Sequence, residues 1–527
     1  MTAVRRAGIR NAVRLAAIDI GTNSVHLVIA DVTRDGSIKV VDRMKEMVRL
    51  GHGAFRTGRL GASQTALAVR TLSSFRRLAT TRGVERLRAV ATSAVREARN
   101  GSAFVARLRR EAGIPVQVIS GAEEAHLIYR AVQHATVLDD GAHLLVDMGG
   151  GSIELTLVQD GKPGWYRSLP AGVARLSERF VAHDPPTARE QRVLAAHAED
   201  VMRDSLERVR RVGVVRAIGT SGSISTLVSM VRAADGDELA RLEGAAATRR
   251  ELTRLRRLLT STPAARRLAL PGVDAKRNDL LPASAILLDT ICRLGRVREV
   301  RLCTWALREG LLLELAGVPT TRTARAPSAR HRSVAALTKR YAGRNQHGVQ
   351  VARLAVALFD GVAGELELSD HARELLEHAA LLHDIGHAIS HDRHHRHTAY
   401  LIRNSELLGF EPLEIEVLAL VARAHRKQVP KPSSPELLGL PERTRHEVRA
   451  LAAILRVADA LDRTHFGVVR SLRARVGADR VVIDVDPTRQ SAELELWAGE
   501  RRTESLARVV GRPVVLRVKR RASGARR

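Results

Sequence analysis

Cysteine, lysine, aromatic residues and long apolar runs are all scarce in this chain of 527 residues. Two cysteines, Cys292 and Cys303, cannot form a disulfide framework and lack the spacing of a metal site, so both read as small buried hydrophobes. No apolar stretch approaches the roughly 18 uncharged residues that a membrane span needs. The N-terminal MTAVRRAGIRNAVRLAAIDIG has basic residues but no apolar core of a secretory signal, because Asp19 interrupts its first hydrophobic stretch. No membrane partner and a cytoplasmic location are therefore expected. Phe, Tyr and Trp number only 7, 4 and 3, too few for the base-stacking platforms of single-strand readers. Nucleic acid is thereby disfavoured as a partner.

Positive charge is abundant: 86 Lys and Arg against 57 Asp and Glu leave +29 at pH 7. Only eight of the cations are lysine, so part of the excess reflects an arginine- and alanine-rich composition. What remains favours a polyanion, which a positive field concentrates and counterion release tightens, and the lack of stacking residues favours a polyanion without bases. The 45% hydrophobic content and the length fit three or four globular domains.

After a tail over 1–14, alternating strands flank a glycine turn in LAAIDIGTNSVHLVIADV, opening an αβ domain expected over 15–136. A second domain, over 137–317, opens with LLVDMGGGSIELTLV. Laying Asp19 on Asp147, an offset of 128 residues, also matches Gly21 with Gly149, Ser24 with Ser152 and Leu27 with Leu155. This internal repeat predicts a duplicated fold with two turns facing each other across a cleft. Glycine turns between strands free backbone N–H groups for phosphate oxygens, and an Asp in the turn can hold a divalent cation against them. Residues 318–332 read as a linker, 333–468 carry helical periodicity, 469–520 alternate as a small α+β module, and 521–527 form a basic tail.

The motifs AIDIGTNSVHLVIADV, ATSAVREA, VISGAEEAHLIYRAV, LLVDMGGGSIEL, AIGTSGSISTL and ALREGLL occur in order over about residues 15 to 315. In these the chain resembles the exopolyphosphatase and guanosine pentaphosphate phosphohydrolase family, of the actin, heat-shock-70 and sugar-kinase fold. The resemblance implies α/β architecture: duplicated actin-like, ribonuclease-H-like domains with an interdomain cleft, where a terminal phosphoanhydride is hydrolysed with magnesium. It assigns Glu124 as catalytic base. Asp19, Asp147 and Glu154 would hold magnesium or its waters. Asn23, Ser24, Arg96, Gly149, Gly150, Gly151, Ser152, Gly219, Ser221 and Gly222 would contact phosphate. His26 and Thr304 stand where relatives differ. The expected activity is processive or stepwise removal of terminal phosphate from inorganic polyphosphate. Hydrolysis of guanosine pentaphosphate in the stringent response, a non-catalytic polyphosphate or alarmone sensor, and a phosphotransferase are the alternatives. A homodimer is kept open as the assembly.

Within 333–468, His347, the His383-Asp384 pair and Asp459 resemble the ligand set of HD-type metal phosphohydrolases, implying an all-α domain that binds manganese or another divalent cation. The same resemblance offers His397 and His425 for a second metal position. The remaining histidines His387, His391, His394 and His395 lie in a basic stretch and read as a solvated or polyphosphate-contacting surface.

Overall fold

The computed structural model describes residues 12–138, 141–234, 242–319, 328–426, 428–488 and 491–518. Residues 320–327 of the expected linker, most of the expected N-terminal tail and the basic C-terminal tail lie outside them. The chain divides into two compact units between Ala329 and Arg330.

The first unit holds two sheets. Strands β1 (Ala12–Ile20), β2 (Val25–Thr33), β3 (Ile38–Glu46), β4 (Arg86–Ala91) and β5 (Val116–Val118) lie in the order β3-β2-β1-β4-β5. Strands β6 (Ala142–Met148), β7 (Ile153–Gln159), β8 (Lys162–Leu169), β9 (Arg216–Thr220), β10 (Ala246–Thr248) and β11 (Glu299–Leu302) lie in the order β10-β11-β9-β6-β7-β8. In each sheet an antiparallel three-strand meander is extended by a strand parallel to its first member: β4 beside β1, and β9 beside β6. The repeat in sequence is thus a repeat in topology. Central strands have both faces covered, which is why β1 and β6 read as nearly continuous apolar runs rather than alternating ones. Asp19 and Asp147 sit near the carboxyl ends of these strands, where open α/β sheets bind ligands.

The second unit is mainly helical, and its first helix, Ala329–Tyr341, begins inside the stretch expected to be linker. Helices Gln346–Val362, Asp370–Leu382, Pro412–Ala424 and Glu442–Ala460 pack around Leu358, Leu376, Leu418, Leu451 and Leu455. The expected C-terminal module is present as β12 (Val469–Val476), β13 (Val481–Pro487), helix Glu493–Val510 and β14 (Val514–Val518). Its Val469, Val481, Ile483 and Leu506 belong to the same core as the helices, so both parts share one interior. Each fully buried leucine in it contributes about 1.5–3 kcal/mol. No described helix is long and apolar enough to cross a membrane.

Candidate active site

Two turns meet in the first unit. The turn after β6, Gly149 to Ser152, has its carbonyls engaged from behind: Gly172, Val173 and Arg175 donate backbone N–H groups to Gly151, Gly149 and Gly150 at 3.2, 2.9 and 3.0 Å. The approach is so close that a Cβ on Gly172 would fall 2.3 Å from the Gly151 carbonyl carbon, which is why glycine is needed there. The turn after β1 is held similarly, with Thr22 and Asn23 carbonyls accepting from Gly51 and Arg49 at 2.9 and 2.7 Å. With carbonyls turned away, the amides are free to face an anion. The turns also touch each other, since a Cβ on Gly150 would lie 3.0 Å from Thr22 Cβ.

The predicted cleft residues other than Arg96, Gly219 and Glu154 line one cavity of about 310 Å³ between these turns. Glu124 enters it from helix Gly121–Ala135, whose N-cap Ser120 accepts from the Glu123 amide at 3.1 Å. Glu124 is buried and accepts from Arg96 Nη1 at 3.2 Å, while the same Nη1 donates to the Ile119 carbonyl at 2.9 Å. Arg96 therefore sits behind Glu124 and orients it. Gly219 packs against Ile224 and Val300. Glu154 is buried beneath the second turn, its Oε1 accepting from Ser168 Oγ at 2.7 Å. The third loop contributes Ser221 at φ 85°, a left-handed conformation that costs on the order of 1–3 kcal/mol in a non-glycine residue.

Burial dominates the electrostatics. It lifts Asp19 to about 6 and Glu154 to about 7, the latter helped by the Asp147 charge. Asp147 is raised by burial even though Thr220 Oγ1 donates to it at 2.5 Å, and Glu124 is raised well above the carboxylate range by burial and then by Glu154. Asp19 Oδ1 and Glu154 Oε2 are buried atoms with no hydrogen-bond partner among the described residues. Orphaned carboxylate oxygens in such a group are what a hard divalent cation would satisfy.

Lys45, Arg277 and Arg308 also line the cavity, and none was singled out from the sequence. They come from β3, from the 3₁₀ turn Ala275–Leu280 and from helix Leu307–Leu315, segments up to 263 residues apart that only the closed fold gathers. Arg308 lies in the ALREGLL motif, which was the available signal.

The second unit gathers a separate histidine cluster. His347 Nε2 lies 3.3 Å from Asp459 Oδ1 and 3.3 Å from His383 Nε2. Asp384 turns Oδ2 toward His347 and His383, at 3.8 and 3.7 Å, and Oδ1 toward His394 and His425, at 3.3 and 3.4 Å. The four expected ligands are thus brought together. His394 and His395 are buried rather than solvated, and His394 takes the place expected for His397, which is half-buried and belongs to none of the ligand groupings. His465, not foreseen, stacks on His347 with ring centroids 3.7 Å apart. The Nδ1 atoms of His383 and His425 face the carbonyls of Ala380 and Ala422, at 2.7 and 2.5 Å, and His347 Nδ1 faces Asp462 at 2.8 Å. Acceptors at Nδ1 leave the Nε2 lone pairs converging on one space, the arrangement of imidazole metal ligands.

Comparison with known proteins places both units in one family. Residues 329–485 match a family described as Ppx/GppA phosphatase, domain III. An exopolyphosphatase from Cytophaga hutchinsonii is 30% identical, with 59% of this chain and 100% of that one covered and a TM-score of 0.55. The Ppx/GppA family member of Aquifex aeolicus is 28% identical, covering 58% of this chain and 97% of that one, with a TM-score of 0.50. With residues 8–318 matching the Ppx/GppA phosphatase family itself, the chain belongs to that family and is a phosphoanhydride hydrolase built on duplicated actin-like domains.

Proposed function

We propose that the chain is an exopolyphosphatase, removing orthophosphate from the end of inorganic polyphosphate. The observation that carries this reading is the lining of the cavity: two amide-bearing turns, carboxylates and cations, with no Phe, Tyr or Trp among the described lining residues. Such a surface suits phosphate and lacks the large aromatic platforms on which bases usually stack. Phosphoryl transfer asks the protein for positioning and charge stabilisation rather than covalent chemistry.

In this mechanism the turn amides and the Ser24 hydroxyl seat the terminal phosphate. Lys45, Arg277 and Arg308 attract the negative chain. Glu124, oriented by Arg96, accepts a proton from the attacking water as its oxygen bonds to the terminal phosphorus, and the bridging P–O bond breaks toward the shortened chain. Asp19, Asp147 and Glu154 would hold magnesium, and the orphaned Asp19 Oδ1 and Glu154 Oε2 fit it. When bound, that ion would neutralise charge on the transferring phosphoryl group.

In the second unit, His347, His383, Asp384 and Asp459 would hold manganese or another divalent cation, supported by their converging ligand atoms. Comparing metal content in wild type and a His383→Ala, Asp384→Ala double variant tests this.

The deciding experiment for the cleft offers long polyphosphate and guanosine pentaphosphate separately, with magnesium, and follows phosphate release. A higher kcat/KM on polyphosphate is expected. Preference for the pentaphosphate would move the reading to the alarmone, and no release from either would leave a binding protein.

A further inference from the structure

The two copies of the repeat differ at one register position. Across β1 and β2, Asp19 is paired with His26, whereas across β6 and β7 its counterpart Asp147 is paired with Glu154. An imidazole therefore stands in the first copy where the second has a carboxylate.

His26 makes two contacts. Its Nε2 lies 2.7 Å from Ser24 Oγ, and its Nδ1 lies 3.0 Å from Arg308 Nη1. A guanidinium has only donors, so Nδ1 must be the acceptor and the ring proton must sit on Nε2. A doubly protonated ring would set Nδ1–H against an N–H of Arg308. His26 consequently donates to Ser24 Oγ. The hydroxyl keeps its own proton, for which no protein acceptor exists among the described residues, and Ser24 lines the cavity. The opposite tautomer would make Ser24 donate to His26 and turn oxygen lone pairs toward an incoming anion. Glu154 has no N–H to offer, so the second turn lacks this device.

We propose that His26 is a positioning residue: locked in its Nε2–H tautomer by Arg308, it fixes Ser24 Oγ as an acceptor and so presents the Ser24 O–H as a donor to phosphate in the cleft. This rests on the cleft being a phosphate site. It predicts that His26 and Ser24 act as one element.

The test is a double-variant cycle in the full chain, in a Glu124→Gln background that suppresses turnover, reading the affinity for inorganic tripolyphosphate with magnesium. A hydrogen bond to a charged group contributes enough that Ser24→Ala should weaken binding about tenfold. His26→Leu should weaken it by a similar factor, and the two together by no more than Ser24→Ala alone, because interacting residues are non-additive. His26→Gln, whose amide carries both a donor and an acceptor, should recover binding to within about threefold of the parent. Multiplicative losses, or parental affinity in His26→Leu, would overturn the proposal. If His26→Leu does not fold, the tautomer is read directly on ¹⁵N-histidine-labelled wild type, with His26→Gln assigning the signal: a proton on Nδ1 refutes the lock. Phosphate release by the wild type is measured in parallel. Its absence from both substrates rejects the exopolyphosphatase reading while leaving the binding cycle readable.

Discussion

The cleft of the first unit and the histidine cluster of the second both enclose acidic groups, with opposite results. Burial works against ionisation in both. In the cleft it prevails, lifting Asp19 to about 6 and Glu154 to about 7 and raising Asp147 and Glu124. In the cluster burial is outweighed: His383, His394 and His425 hold Asp384 down, and His347 and His383 hold Asp459 well below the carboxylate range. His347 in turn is raised to about 9, its carboxylate partners overcoming burial, while His425 is pushed down to about 3 by burial and by His383. In the cluster imidazoles stand directly against the carboxylates, whereas in the cleft burial outweighs Arg308, which acts on Asp19 and Asp147, and Arg96, which acts on Glu124 and Glu154.

The largest effect expected from this contrast is on Glu124, the proposed base, which is paired with Arg96. Glu124→Gln keeps the shape, removes the base, and should lower kcat by about 10² to 10⁴ while leaving tripolyphosphate affinity near the parental value. Asp147→Asn should act through the cation, raising the magnesium needed for half-maximal rate by on the order of tenfold or more. An unchanged magnesium requirement would remove Asp147 from the cation site.

The contrast also has a pH signature. Asp19 and Glu154 have folded-state values above their unfolded ones, so their contribution to stability is present at low pH and is lost as pH rises through about 6 to 7. Without divalent cation the first unit should therefore melt several degrees lower at pH 8 than at pH 5.5, and added magnesium should close most of that gap. Emission from Trp165 and Trp305, both buried in the first unit, reports this transition, since Trp497 in the second is 60% exposed. Asp384 and Asp459 carry the opposite sign: their stabilisation is present above the ordinary carboxylate range and lost as pH falls through the depressed values. The smallest effect is expected from emptying the cluster. His383→Ala with Asp384→Ala should abolish metal retention there yet leave phosphate release by the cleft within about twofold, and a large loss would show that the two sites are coupled.

The cleft was largely legible because its signals are local and doubled: an Asp at the end of an apolar strand, a glycine turn, a second strand, and the same again 128 residues later. Glu124 followed from a short motif at a helix start. Arg277, Arg308 and Lys45 were not legible, because nothing near them in sequence says which sheet edge they will reach. Arg96 was recognisable as important, but its contact with Glu124 depends on how helix Ser93–Glu97 meets helix Gly121–Ala135. In the cluster, His387, His391, His394 and His395 read as surface by composition, and His397 was the one of that stretch offered to a metal. Which imidazoles turn inward is set by where the helix begins: Arg393 at φ 52° starts it at His394, so His394, His395, Thr398 and Ile402 face the core and His397 falls beside that stripe.

The back-side clamp on the second turn, where Gly172, Val173 and Arg175 hold three consecutive carbonyls, bears on entropy. Ordering a backbone residue costs roughly 1–2 kcal/mol, and a loop of four that folded around its ligand would give that up at every binding event. A turn already fixed leaves the loss to the ligand alone, so discrimination falls on how much freedom the incoming chain surrenders. For the proposed polymer substrate, shortened from one end, a seat fixed before binding also needs no rebuilding between one cleavage and the next.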